Sequence, residues 1–208
     1  MSPAIDIPHY SALLDQLYQG PFETLPFQTF LDNLRGLLTL EFAAIIVRRP
    51  DGSDAGMQFM SGLEQPPTTE ANAQNYYRRH DALDPLIDLP LQTVVTLDEV
   101  ISIDKLEQTE YFQNCLAPYD LFYVAALDVG DAAQHRYALR LYRTRKAGNF
   151  DSNARALLDL LAPHLARALG NGVQRVQLDA ERHFYAKAAF GRAVGSITLD
   201  EHGHIVQA

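Results

Sequence analysis

The chain has 208 residues, 47% of them apolar, and a formal net charge of −9 at neutral pH. That length and composition suffice for one sizeable core, and the acidic balance excludes a surface that grips nucleic acid unaided, because phosphate binding needs concentrated Lys and Arg. A single cysteine, Cys115, excludes an internal disulfide and a cysteine-rich zinc site. The opening Met1-Ser2-Pro3-Ala4-Ile5-Asp6 lacks the basic flank and apolar run of a secretory signal. The longest apolar runs, such as Phe42 to Val47, are too short to cross a bilayer. A cytoplasmic protein with no membrane partner is expected.

Ile7 to Tyr18 reads as a first helix, with Leu13, Leu14, Leu17 and Tyr18 on one side and Gly20-Pro21 as its stop. Phe27 to Leu38 reads as a second, burying Phe27, Phe30, Leu31, Leu34 and Leu38. Glu41 to Arg48 is apolar on both faces, which predicts a central strand. Arg49-Pro50-Asp51-Gly52 turns the chain, and Asp54 to Ser61 returns beside it. Gln65-Pro66-Pro67 breaks the pattern. A helix carrying Tyr76 and Tyr77 follows and ends at Asp84-Pro85, because the residue before proline is pushed out of the helical region.

Val94 to Leu97 reads as the extended piece of the next stretch, and Asp98 to Leu116 holds one or two short helices. Leu121 to Val129 and Gln134 to Arg143 form an antiparallel pair around Gly130-Asp131. Arg140, Arg143, Arg145 and Lys146 read as a solvated basic strand end.

Phe150-Asp151-Ser152 opens a long helical run toward Val194, since a short polar oxygen there can cap free backbone N–H groups. Its leucines, from Leu157 to Leu169, recur at helical spacing, and Val173, Val176, Ala180 and Phe184 continue as a thinner stripe. Pro163 kinks such a helix. Gly170-Asn171-Gly172 leaves two readings open: a helix ending at Leu169 with a separate one from Val173, or one long helix with a pliable joint. Ser196 to Val206 reads as strand, turn and strand. The sum predicts an α+β fold, an antiparallel sheet flanked by helices and followed by a long C-terminal helix.

Tyr76, Tyr77 and Asp84 are candidate ligand contacts, one tyrosine entering a pocket and Asp84 accepting a hydrogen bond. The competing reading has Asp84 capping loop N–H groups and the tyrosines closing the sheet. Phe112, Tyr119 and Tyr123, with Tyr111 and Phe122, form a second aromatic group suited to a partly apolar ligand or to ordinary core. His80, Asp81 and His164 accompany no nucleophile motif, so no catalytic residue is assigned. His202 and His204 flank a turn glycine, and no glycine-rich phosphate loop occurs. No metal and no cofactor is expected.

The order of motifs supplies a resemblance. Leu83-Asp84-Pro85-Leu86, Thr96-Leu97-Asp98-Glu99-Val100, Glu110-Tyr111-Phe112-Gln113, Leu116-Ala117-Pro118-Tyr119-Asp120-Leu121 and the Leu160-Leu161-Ala162-Pro163-His164-Leu165 stretch after Phe150-Asp151 together resemble the N-terminal GAF-like region of bacterial LuxR-type helix-turn-helix regulators. Residues 196–208 are similar to the first hairpin of a PAS-like domain. A more distant likeness is to the acyl-homoserine-lactone-binding domains of quorum-sensing LuxR regulators, in which aromatic residues precede an Asp-Pro whose aspartate contacts the ligand. This chain has no tryptophan and departs there from that pattern.

The resemblance implies four segments: an N-terminal helical segment, 1–24; a GAF-like sensory domain, 25–170; a linker helix, 171–195; and the start of a PAS-like domain, 196–208. It implies a small-molecule ligand, a homodimer, and DNA contact only through a domain absent from this chain. The dimer contact is expected along Leu158, Leu161, Leu165, Leu169, Val173, Val176 and Phe184. The alternatives are a ligand-free dimerisation module and a small cytosolic enzyme.

Overall fold

A computed structural model describes residues 6–48, 54–62, 83–130, 135–190, 198–199 and 205–207. Its framework is a five-stranded antiparallel sheet in the order β2-β1-β5-β4-β3. The strands are β1 (Phe42–Arg48), β2 (Asp54–Ser61), β3 (Val94–Thr96), β4 (Leu121–Gly130) and β5 (Arg136–Thr144). Ile45 lies opposite Leu139, and Ala126 opposite Arg140. β1 is flanked by strands on both sides and buried along Ala43–Val47, as its unbroken apolar run requires. The fold class is the expected α+β one.

The first face of the sheet carries α1 (Ile7–Gln19), α2 (Gln28–Leu38) and the first half of α5 (Ser152–Phe190). Phe30, Leu31 and Leu34 of α2 meet Ile45, Leu127 and Leu139 of the sheet and Leu158, Leu161 and Leu165 of α5 in one core. The second face is covered by the chain between Leu83 and Tyr119. That stretch includes α3 (Leu97–Val100), α4 (Ile103–Leu106) and a wide helical turn, Phe112–Leu116. Its core joins Leu86, Leu97, Leu106 and Leu116 to Phe122, Val124 and Ala126. β6 (Thr198–Leu199) and β7 (Ile205–Gln207) pair antiparallel, where the strand–turn–strand pattern was expected.

One expectation for the long helix changes, and one of its two open readings is met. Leu158, Leu161, Leu165, Leu169 and Val173, expected between two copies, are at most 1% exposed within their own chain. Their spacing marks a core stripe, and side chains spent on this sheet are not free to meet a partner. Val176 is half-buried, and the Phe184 side chain lies outside the described residues.

The glycine pair is not a break either, because α5 runs through it for 39 residues with Pro163 inside. Gly172 is a point of close approach: a Cβ there would lie 2.4 Å from Pro21 Cγ and 3.1 Å from Phe27 Cζ. A Cβ on Gly170 would meet nothing within 4 Å. The two substitutions should therefore diverge in thermal denaturation. Gly170→Ala is expected to stabilise by about 0.5–1 kcal/mol through helix propensity and unfolded-state entropy. Gly172→Ala is expected to cost about 1–3 kcal/mol by overpacking.

Candidate ligand site

Strand alternation places Arg136, Arg140 and Tyr142 of β5 on the second face, together with Asp128, Ala126 and Val124 of β4. Arg140 is 1% exposed. Its Nη1 donates to Asp128 Oδ1 at 2.6 Å, its Nη2 donates to the Leu86 carbonyl, and its Nε lies 3.6 Å from Asp84 Oδ2. Arg136 donates through Nε to Asp128 Oδ2 at 2.8 Å and through Nη2 to the Leu89 carbonyl. The Gln92 amide donates to the Asp128 main-chain oxygen at 2.7 Å. Two guanidinium groups thus clasp the loop from Asp84 to Gln92 against the sheet.

A buried ion pair holds only if attraction and hydrogen bonds offset the loss of water. Here burial works against the Arg140 charge, but the Asp128 and Asp84 carboxylates outweigh it, and its pKa rises above the ordinary arginine value.

Beside this clasp lie the buried Tyr111 and Cys115 and the half-buried Tyr142. Burial, reinforced by the neighbouring Asp84 charge, pushes the Tyr111 and Tyr142 hydroxyls above the usual phenol range. Burial, then Asp84, pushes the Cys115 thiol up to about 11. All three groups stay neutral at physiological pH. Cys115 is accordingly expected to resist alkylation by iodoacetamide at pH 8 in the folded chain and to react once the chain is unfolded, because the thiolate is the nucleophile.

Asp84 does part of what its Asp-Pro context allows, since Oδ1 accepts the Leu86 amide at 2.9 Å. Its other oxygen faces Arg140. Phe112, Tyr119 and Tyr123 are half-buried against the same second-face core, and Phe122 stands edge-on to both Phe112 and Tyr123 at 5.9 and 4.9 Å. Asp84, Phe112 and Tyr119 therefore share one layer, whereas Tyr123 packs against the cores on both sides of the sheet. Tyr76 and Tyr77 lie outside the described residues.

The expected basic strand end divides. Lys146 and Arg145 are exposed, whereas Arg143 donates to the Leu38 and Asn149 carbonyls and Arg140 is the centre of the buried clasp. The signal that would have found the clasp is opposite charge at inward positions of paired strands, Asp128 in an apolar run and Arg140 two residues from Tyr142.

A separate open cleft of about 630 Å³ lies between the C-terminus of α2 and the end of β5, with Asp32, Arg35, Glu41 and Lys146 on its walls. Among the described residues no group of three His, Cys, Asp or Glu side chains could hold a metal ion, and no helix is long and apolar enough to cross a membrane.

The sequence matches no protein-family model and no curated protein. Solved structures do match its shape. The LBD domain of VqsR from Pseudomonas aeruginosa is 17% identical, with 81% of this chain and 96% of that one covered and a TM-score of 0.48. CepR2 from Burkholderia cenocepacia, an N-acylhomoserine lactone dependent LuxR family transcription factor, is 13% identical, with 81% and 98% covered and a TM-score of 0.49. SdiA from Escherichia coli is 15% identical, with 81% of this chain and 68% of that one covered and a TM-score of 0.52. At that identity the likeness speaks to architecture alone: the helix-flanked antiparallel sheet of this chain is a fold it shares with SdiA.

Proposed function

We propose that the chain is the small-ligand sensing region of a LuxR-type transcriptional regulator. The ligand sits on the second sheet face beside Asp84, Phe112, Tyr119 and Tyr123. The long helix passes its state to a DNA-binding domain outside this chain, and 196–208 opens a PAS-like domain. The chain senses in the cytoplasm rather than catalyses, and it works as a homodimer. The contact between copies falls on the part of α5 beyond Val173, where Leu178 is 55% exposed.

The observation that supports this reading is the polar clasp set in an apolar layer. Sites for small molecules combine an apolar lining with a few placed polar groups. The clasp also bears on ligand class. Asp84 and Asp128 are balanced by Arg136 and Arg140, and Tyr111, Tyr142 and Cys115 are neutral. An ionic ligand would lose its water there without gaining an unbalanced counter-charge from the described residues. The ligand is therefore an uncharged, mostly apolar molecule.

Native mass spectrometry of the protein purified from its own host tests this. The expected result is two chains and a retained uncharged small molecule released on denaturation. Two chains without a small molecule, together with no thermal shift from the neutral dye Nile red, would favour the ligand-free dimerisation module instead.

A further inference from the structure

The sheet separates the first half of α5 from the layer that carries the candidate site, yet the two meet around the β3 edge. Thr96, fully buried, ends β3 and caps α3. Its amide donates to Glu99 Oε2 at 2.8 Å while its side chain accepts from the Glu99 amide, a reciprocal capping box. Arg155, one turn into α5, takes hold of both members. Its Nη2 donates to Thr96 Oγ1 at 2.7 Å, and its Nη1 lies 2.9 Å from Glu99 Oε1. Asn149, just ahead of α5, donates to Asp98 Oδ2 at 2.9 Å. The cap of α5 itself is Asp151, whose side chain accepts the Ala154 amide at 2.8 Å. Two helix starts are thus cross-linked through side chains, around the sheet rather than through it.

We infer that Arg155 is the coupling residue that transmits a displacement of the second-face layer to the long helix. Leu97, directly after Thr96, is buried in the same core as Leu86, Leu106 and Leu116. Anything that shifts α3 there must either break the Arg155 fork or carry the first turns of α5 with it. A guanidinium fits this task because its rigid fork engages two acceptors at once. The Glu99 carboxylate is held below its usual range by the Thr96 amide first and by Arg155 after it, so the pair stays ionised at neutral pH.

The link contributes little to stability, since the Arg155 and Glu99 side chains are 31% and 47% exposed and such pairs are screened by solvent. Its weight lies in geometry. The inference rests on the sensing reading for what moves α3 in the cell, but not for its test.

The test replaces the ligand by a substitution and reads backbone hydrogen exchange on the full chain. Leu106→Ala opens a cavity under α3 and α4; Leu106→Val serves if the alanine variant does not fold. In the wild-type background either is expected to speed exchange in residues 97–106 and, by about fivefold, at the low end of coupling between linked sites, in residues 152–160. In an Arg155→Met background the response at 97–106 should persist, and the response at 152–160 should vanish. Arg155→Lys, which keeps the charge without the fork, should restore at most part of it.

An equal response of α5 in both backgrounds overturns the link, and so does no response of α5 in the wild type. Failure of the sensing reading looks different: the cycle behaves as described, but the protein retains no small molecule and binds no neutral dye.

Discussion

Asp128→Ala is expected to cost about 3–5 kcal/mol of folding stability, read as a fall in the urea midpoint, because it leaves buried positive charge without its nearest partner. Among the described carboxylates Arg140 would keep Asp84, whose Oδ2 stands 3.6 Å from its Nε, and Arg136 would keep Asp88, whose carboxylate is 3.7 Å away and whose side chain is 87% exposed. Neither replaces a contact of 2.6 or 2.8 Å made inside the sheet.

The paired replacement Asp128→Leu with Arg140→Met separates two causes. If the large single-site loss comes from an orphaned charge, removing both charges recovers most of it, since well-packed apolar groups often match a buried pair in stability. The double variant still leaves Arg136 without Asp128, Asp84 without Arg140 and the Leu86 carbonyl without its donor. Its remaining deficit should therefore appear as faster amide exchange confined to the loop from Asp84 to Gln92, with the rest of the sheet unchanged. A double variant as unstable as Asp128→Ala would show that the polar network itself, rather than the unpaired charge, holds this face together.

That clasp also marks where the sequence stopped being readable. The apolar run of β1, the stripe of α2 and the alternation in β4 and β5 each follow from a period, and each element lies where its period put it. A period reports that a face is buried but not by what. The α5 leucines were legible as a stripe and were assigned to a second copy, whereas they face this chain's own sheet.

Charge misled for a related reason. Arg140 has Arg143, Arg145 and Lys146 as near neighbours in sequence, so it read as part of a solvated end. Its partners Asp128 and Asp84 come from another strand and from a loop, and only the strand register brings them together. Gly172 shows the same limit, because the Pro21 ring that requires a glycine there belongs to the far end of the chain. Local chemistry was more secure: Asp84 before Pro85 does accept a loop amide, and Asp151 does cap the long helix.

Leu161→Ala tests the reassigned stripe directly. Leu161 is fully buried, in contact with the cluster that includes Leu158, Leu165 and the sheet leucines. Truncating a buried leucine costs about 2–5 kcal/mol through lost transfer energy and the cavity left behind. An interface leucine gives the same kind of loss but with a distinct signature. Stability that depends on association varies with protein concentration, and a weakened interface shows itself as a steeper dependence or as dissociation. For Leu161→Ala the expected result is a lowered melting temperature whose deficit relative to wild type is constant across a hundredfold range of protein concentration, with the native mass spectrum unchanged in oligomeric state. A deficit that shrinks as concentration rises, or a shift to single chains, would return the stripe to the interface. The first half of the helix would then be a contact between copies instead of the lid of this chain's own core.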